Sequence, residues 1–169
     1  NYFDAKQAKN VEEYETSTGN SIASYTFDLL GYLEEKTEYD ASGTAARRFE
    51  YYPGSERPRT KEFIITEGLI PAGTIHEYDN TNVHDNGTSS DPSDNYGHLI
   101  KVIEYGTGNY TMYSEYFDAD QARFERTYND YGTPLDTSDD TVVSIREYDD
   151  QGIVVMDLPG TDIQTYYSG

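Results

Sequence analysis

The chain has 169 residues, 12 basic and 32 acidic, for a formal net charge of −20 and a pI near 4.2. That balance excludes a nucleic-acid partner, which needs clustered Lys and Arg, and it opposes adhesion to anionic lipid. With no cysteine the chain has no disulfide, thiolate metal site or thiol catalysis, and no apolar run reaches the roughly 18–20 residues of a membrane span.

Leu, Ile, Val and Phe supply about 18% of the residues, under the rough 20% line below which a highly charged chain stays disordered. The 18 tyrosines reverse that reading, because with them the share rises to about 28%. Each Tyr buries a large ring while its hydroxyl stays wet or hydrogen-bonded, and Tyr favours strands. A folded chain with an aromatic, amphipathic core is therefore expected. Its length suits a single domain over 1–169, or two joined halves, 1–70 and 71–169.

Taken in order, the chain opens Asn1-Tyr2-Phe3-Asp4, with neither Met nor an apolar leader. That is expected of a mature form whose signal peptide has been removed, and so of an extracellular or cell-surface protein. Residues 4–14 fit two helical turns or a strand. The 11-residue step from Phe3 to Tyr14 favours the strand. An aromatic–acid–x–x–Gly element then recurs as Phe27-Asp28-Leu29-Leu30-Gly31 and Tyr39-Asp40-Ala41-Ser42-Gly43. Tyr78-Asp79 and Phe117-Asp118 have the pair without the glycine, and Asp94-Asn95-Tyr96-Gly97 has the turn without the aromatic. The element returns as Tyr128-Asn129-Asp130-Tyr131-Gly132, with Asn in the place of the acid, and in full as Tyr148-Asp149-Asp150-Gln151-Gly152. Steps of 12 residues separate positions 27, 39 and 51, and again 105 and 117, whereas 78 to 105 and 128 to 148 contain insertions.

The physics of the element is a hairpin. Asp at the first and Gly at the fourth position suit a type I turn, and a glycine at positive φ closes a short loop with a bulge. Strands are predicted over 32–39, 45–52, 60–65, 98–105, 110–117, 122–128 and 142–148. A helix over 118–126 competes with the strand over 122–128, and the repeat spacing again favours the strand. In 98–105 one face holds Leu99, Lys101, Ile103 and Tyr105, the other His98, Ile100, Val102 and Glu104. Apolar groups on both faces predict cover on both sides, by a second sheet or by another subunit. The fold class expected is all-β: an antiparallel meander of about ten hairpin-linked strands, as a twisted sheet, sandwich or open barrel, with little or no helix.

Tyr-Asp-x-x-Gly followed by x-Leu, as in Phe27-Asp28-Leu29-Leu30-Gly31-Tyr32-Leu33, resembles the YD repeats of bacterial Rhs and insecticidal-toxin shells and of teneurins. Asn95-Tyr96-Gly97-His98-Leu99 is similar in its Gly-x-Leu portion. The place after the glycine, usually Arg or Asn in that family, is taken here by Tyr32, Thr44, Thr133 and Ile153. The resemblance implies strand–turn–strand architecture and an exterior location, not toxin encapsulation.

No catalytic constellation stands out. His76, His84 and His98 are not at metal-motif spacings, and HExxH, Walker, GxSxG and SxxK motifs are absent, so the chain is read as a non-enzyme. A cation is the best chemical expectation, with calcium the implied cofactor. The run from Asp136 through Ser138, Asp140 and Ser144 to Glu147 has calcium-loop spacing, but Thr141 stands where the sharp turn needs glycine. A second set of hard oxygen ligands comprises Asp79, Asp85, Asp91 and Asp94, and its alternative is a solvated loop whose acids serve backbone turns. The tyrosines serve cross-strand packing, stacking on a carbohydrate, or contacts between subunits. Asn86-Gly87-Thr88 and Asn109-Tyr110-Thr111 fit the glycosylation sequon but also read as turns.

The function expected is structural: an extracellular subunit of a self-assembling filament, sheath or surface layer, held by strand edges and tyrosine-rich contacts and stabilised by calcium. Tyr2, Phe3, Ile163, Tyr166 and Tyr167 are the expected assembly residues, in termini suited to adding a strand to a neighbouring copy. The partner is then a homo-oligomer or polymer. The alternative is an extracellular glycan- or protein-binding β module.

Overall fold

The computed structural model describes residues 9–53, 58–65, 73–81, 95–117, 121–131 and 137–160. The all-β expectation is met, with eleven strands rather than ten. They are β1 (Asn10–Tyr14), β2 (Ser21–Phe27), β3 (Leu33–Tyr39), β4 (Ala45–Tyr51), β5 (Arg59–Ile64) and β6 (Thr74–Tyr78), followed by β7 (Leu99–Tyr105), β8 (Asn109–Tyr116), β9 (Ala122–Asn129), β10 (Thr141–Tyr148) and β11 (Val154–Pro159). They form one antiparallel meander in strict chain order. The sheet is open, and among the described residues no pairing returns from β11 to β1. The competing helices give way where the chain is described, since 10–14 and 122–126 are extended.

Turn chemistry explains why the chain reverses where it does. In the β2–β3 hairpin the Asp28 amide donates to the Tyr32 carbonyl at 2.8 Å, and the Gly31 amide to the Asp28 carbonyl at 2.9 Å. The Asp28 carboxylate then accepts the amides of Leu30 at 2.8 Å and Tyr32 at 2.9 Å. One side chain thus satisfies two turn donors that would otherwise point at solvent. The β3–β4 turn repeats this with Asp40, which accepts from Ser42 at 2.9 Å and Thr44 at 3.0 Å. In the β10–β11 turn Asp149 accepts from Gln151 and Ile153, both at 2.9 Å. Gly31, Gly43 and Gly152 take φ of 84°, 81° and 76°, the left-handed region where a Cβ is costly. Just past each turn the incoming strand carries a bulge. Thr26 pairs with Glu35 and Phe27 with Leu33, so Glu34 is the extra residue, and Ala46 and Val155 hold the same place in their hairpins.

Other hairpins close differently, two of them within short loops. Tyr116 pairs with Ala122 and the Phe117 amide donates to the Gln121 carbonyl at 2.9 Å, so Phe117 occupies the place of Asp28 and β8 ends one residue early. Between β7 and β8 the loop is only Thr107-Gly108, with Tyr105 opposite Tyr110 and Gly108 at φ 75°.

The chain divides into two compact units, residues 1–65 with 78–98 and residues 66–77 with 99–169. In the first, Lys36, Phe49 and Glu62 are cross-strand neighbours on one face. Phe49 is 1% exposed, with the guanidinium of Arg59 4.3 Å from its ring centroid, that of Arg47 at 5.2 Å and the Lys36 ammonium at 5.8 Å. Glu62, buried beneath them, accepts from Arg47, with Arg59 Nη1 at 3.6 Å and the Tyr78 hydroxyl at 3.4 Å. Cations over an aromatic ring with a buried counter-ion stand in for missing aliphatic side chains.

In the second unit, Ile103, Met112, Arg126, Ile145 and Leu158 line up across five strands, and Ile145 is fully buried. On the same face Tyr105 and Tyr110 lie 5.5 Å apart, and Tyr110 stacks on Tyr128 at 4.7 Å with 10° between the rings. The opposite face is polar: Arg146 bridges Glu125 at 3.2 Å and Asp157 at 3.4 Å, while the Tyr148 hydroxyl donates to Glu125 at 2.6 Å. On the second face of β7, Ile100 is 41% exposed in the single chain.

Candidate functional site

The two expected cation-binding sets fare differently. Asp136 lies outside the described residues, and Ser138 is exposed in a turn. Asp140 immediately precedes β10, and Glu147 is the seventh residue of that strand. An extended chain rises about 3.3 Å per residue, so Asp140 and Glu147 are roughly 20 Å apart and the structure does not bring them together. Glu147 instead accepts a forked pair of bonds from Arg123, at 2.9 and 2.8 Å.

Asp140 has a different neighbourhood. One carboxylate oxygen accepts the Tyr110 hydroxyl at 2.7 Å, while Oδ1 is buried with no hydrogen-bond partner. Burial, then the charges of Asp140, Glu77 and Asp130, raise the pKa of the Tyr105 phenol. Tyr110 is raised further, by burial and by its bond to Asp140. Acids thus gather around the Tyr105–Tyr110–Tyr128 row. Asp130 is almost wholly buried there, and Glu77 is held by the Lys101 ammonium at 2.5 Å. Sequence reasoning named Asp140 but missed Asp130 and Glu77, which only strand register brings to the same tyrosines.

In the second set, Asp85, Asp91 and Asp94 lie outside the described residues. Asp79 immediately follows β6, and its carboxylate accepts the Thr81 amide at 3.0 Å, the Thr81 hydroxyl at 2.7 Å and the His98 amide at 3.0 Å. Burial works against its charge, but these bonds outweigh it and hold Asp79 below the usual carboxylate range. Asp79 does the work of a turn aspartate, like Asp28. Among the described residues no group of three or more His, Cys, Asp or Glu is arranged to hold a metal ion.

All five expected assembly residues, Tyr2, Phe3, Ile163, Tyr166 and Tyr167, lie outside the described residues. The strands next to them are described. Every residue of β1 is exposed, including Val11 at 39% and Tyr14 at 54%. The start of β11 presents Ile153, Val154 and Val155 in sequence, 58%, 47% and 59% exposed. At the β2–β3 turn Leu29 and Leu30 are 71% and 78% exposed. Among the described residues no helix is long and apolar enough to cross a membrane.

No family model and no curated protein matches the chain. Among solved structures it is similar to a protein of unknown function from Bacteroides fragilis NCTC 9343, at 8% identity over 89% of this chain and 91% of that one. The TM-score is 0.24, too low for the likeness to bear on fold or function.

Proposed function

We propose that the chain is an extracellular structural protein, a subunit of a self-assembling filament, sheath or surface layer joined through the edges of its sheet. The observation that carries this reading is β11, an edge strand whose first residues continue an exposed Ile153-Val154-Val155 run. Unpaired edge amides and carbonyls beside exposed β-branched residues form a template for another strand, and soluble monomers commonly blunt such edges with charge or bulges. Val155 is itself a bulge residue, which twists the strand there without removing its apolar surface. Calcium belongs to the proposal as a stabiliser. A chain at −20 must screen its own charge to associate, and the buried, unpartnered Oδ1 of Asp140 is an oxygen that a cation would satisfy.

The glycan-binding alternative needs a row of exposed tyrosines on one face. Among the described residues the exposed tyrosines are Tyr14, Tyr32 and Tyr131, each at a different hairpin. Electron microscopy and light scattering of the purified chain, with and without Ca²⁺, test the assembly reading. Ordered, concentration-dependent assemblies are expected, favoured by Ca²⁺. A monomer at high concentration in both conditions would overturn it.

A further inference from the structure

The bonds around Asp79 match those of the short repeat turns, although 18 residues lie between it and His98. In the β2–β3 hairpin the Asp28 amide donates to the carbonyl four residues on, and its carboxylate accepts the amides two and four residues on. In the β6–β7 hairpin the Asp79 amide donates to the His98 carbonyl at 2.9 Å, and its carboxylate accepts the amides of Thr81 and His98. His98 therefore holds the place of Tyr32, Thr81 that of Leu30, and Gly97 that of Gly31. We infer that the β6–β7 hairpin is a repeat turn opened between its third and fourth positions, a clamped insertion point at which residues 82–96 are additional to the sequence the hairpin needs.

Two sequence facts agree with the bonds. With 82–96 removed, the chain reads Tyr78-Asp79-Asn80-Thr81-Gly97-His98-Leu99, the full aromatic–Asp–x–x–Gly–x–Leu pattern of Phe27 to Leu33. Tyr78 and Tyr105 are 27 residues apart in the chain, and without those 15 they are 12 apart, the period of the repeat. The glycine is also required on steric grounds, because a Cβ at Gly97 would collide with the backbone carbonyl of Asp79. Gly97 lies outside the positive-φ region that Gly31 occupies, so closing the turn asks it for a rotation that glycine makes without steric cost.

Asn95 and Tyr96, the last two residues of the insertion, make a few contacts of their own. The Asn95 carbonyl accepts the Arg59 amide at 2.8 Å, Tyr96 bridges Arg59, and the Tyr78 and Tyr96 rings lie 5.6 Å apart. These contacts tie Asn95 and Tyr96 to the start of β5 and make removal of the insertion slightly destabilising. Asp85, Asp91 and Asp94 all fall within 82–96. Whatever those acids bind is then separable from the fold.

Two full-length variants test this: one with 82–96 excised so that Thr81 joins Gly97, and one with 82–96 replaced by Gly and Ser at equal length. Both are expected to keep the β-sheet circular dichroism of the parent and a Tm within about 4 °C of it, as for loss of roughly one hydrogen bond. The amides of Thr81 and His98 should remain protected from hydrogen exchange in the excised chain. A Gly/Ser chain that folds beside an excised chain that does not, or loss of His98 protection on excision, would show that loop length is built into the hairpin. Failure of both variants to fold would make residues 82–96 structural. Either result overturns the inference.

Discussion

Glu62→Gln probes the charged core of the first unit without leaving a cavity, since Gln has nearly the same shape. The side chain of Glu62 is 5% exposed, and its two guanidinium partners differ: that of Arg59 is 15% exposed and that of Arg47 46%. Breaking a fully buried ion pair costs about 3–5 kcal/mol, whereas an exposed pair contributes about 0–1. Arg47 can turn into water and recover most of what it loses, so its share falls in the lower range. Arg59 is held over the Phe49 ring at 4.3 Å and cannot follow. The expected loss is therefore about 2–3 kcal/mol, a Tm decrease of about 4–12 °C for a chain of this size. Thermal and urea unfolding followed by circular dichroism measure it. Glu50→Gln is the control, because Glu50 pairs with Arg48 at 3.5 Å with both side chains more than a third exposed, and it should stay within about 0.5 kcal/mol of the parent. If Glu62→Gln were no more destabilising than Glu50→Gln, the charged cluster would not be part of the core.

Asp28→Ala and Asp149→Ala each remove two carboxylate–amide bonds from a turn and should cost about 1–2 kcal/mol in chemical denaturation, by analogy with helix caps, with Asn at the same positions costing less. Gly97→Ala should lower Tm more than Gly19→Ala, since a Cβ at Gly97 collides with the Asp79 carbonyl, whereas one at Gly19 meets nothing within 4 Å and costs only the strain of its φ of 75°. Burial, then the charges of Glu104 and Glu125, push the Tyr113 phenol up to about 12, and burial followed by the charge of Tyr113 does the same for Tyr116. A raised folded pKa favours the neutral form, so this stability is complete below about pH 10 and is lost as pH rises towards 12; phenolate absorbance should show these tyrosines ionising late, with unfolding. Asp40 and Asp79 are held low, Asp40 by the Ser42 hydroxyl and the Thr44 amide, so their contribution is present above about pH 4 and lost as pH falls through their folded pKa values. Amide exchange at Ser42 and Thr44, measured across that range, reads this loss directly.

The parts of the fold legible from sequence are those written in five consecutive residues. Asp28, Asp40 and Asp149 each close a turn with donors two and four positions away, so the turn is visible before any tertiary contact exists. The Phe117-Asp118 pair misled by one residue because Tyr116 and Phe117 are both aromatic, and the turn accepts Phe117 where its carboxylate usually stands. β2, β6 and β11 escaped prediction for different reasons, β6 because its five residues are too few to show a period. Ser21, Ser24 and Thr26 interrupt Ile22, Tyr25 and Phe27 at uneven spacing in β2, while Val154–Pro159 starts as an unbroken apolar run that shows no period of two. The cluster of Arg47, Arg59 and Glu62 around Phe49 depends on the register of β4 against β5, which no local pattern specifies. The acids around Tyr105 come from β6, the end of β9 and the start of β10, so they too are invisible until the strands are aligned.

The proposed assembly is most directly tested by sedimentation velocity on the wild-type chain and Val155→Lys, over a range of concentrations and with Ca²⁺ present or chelated. The wild type should shift to larger species with concentration, more strongly with Ca²⁺. Val155→Lys should remain monomeric with an unchanged β-sheet spectrum, because the change adds an edge charge at a residue already 59% exposed. A wild-type chain that sediments as one monomer at every concentration in both conditions would contradict the account.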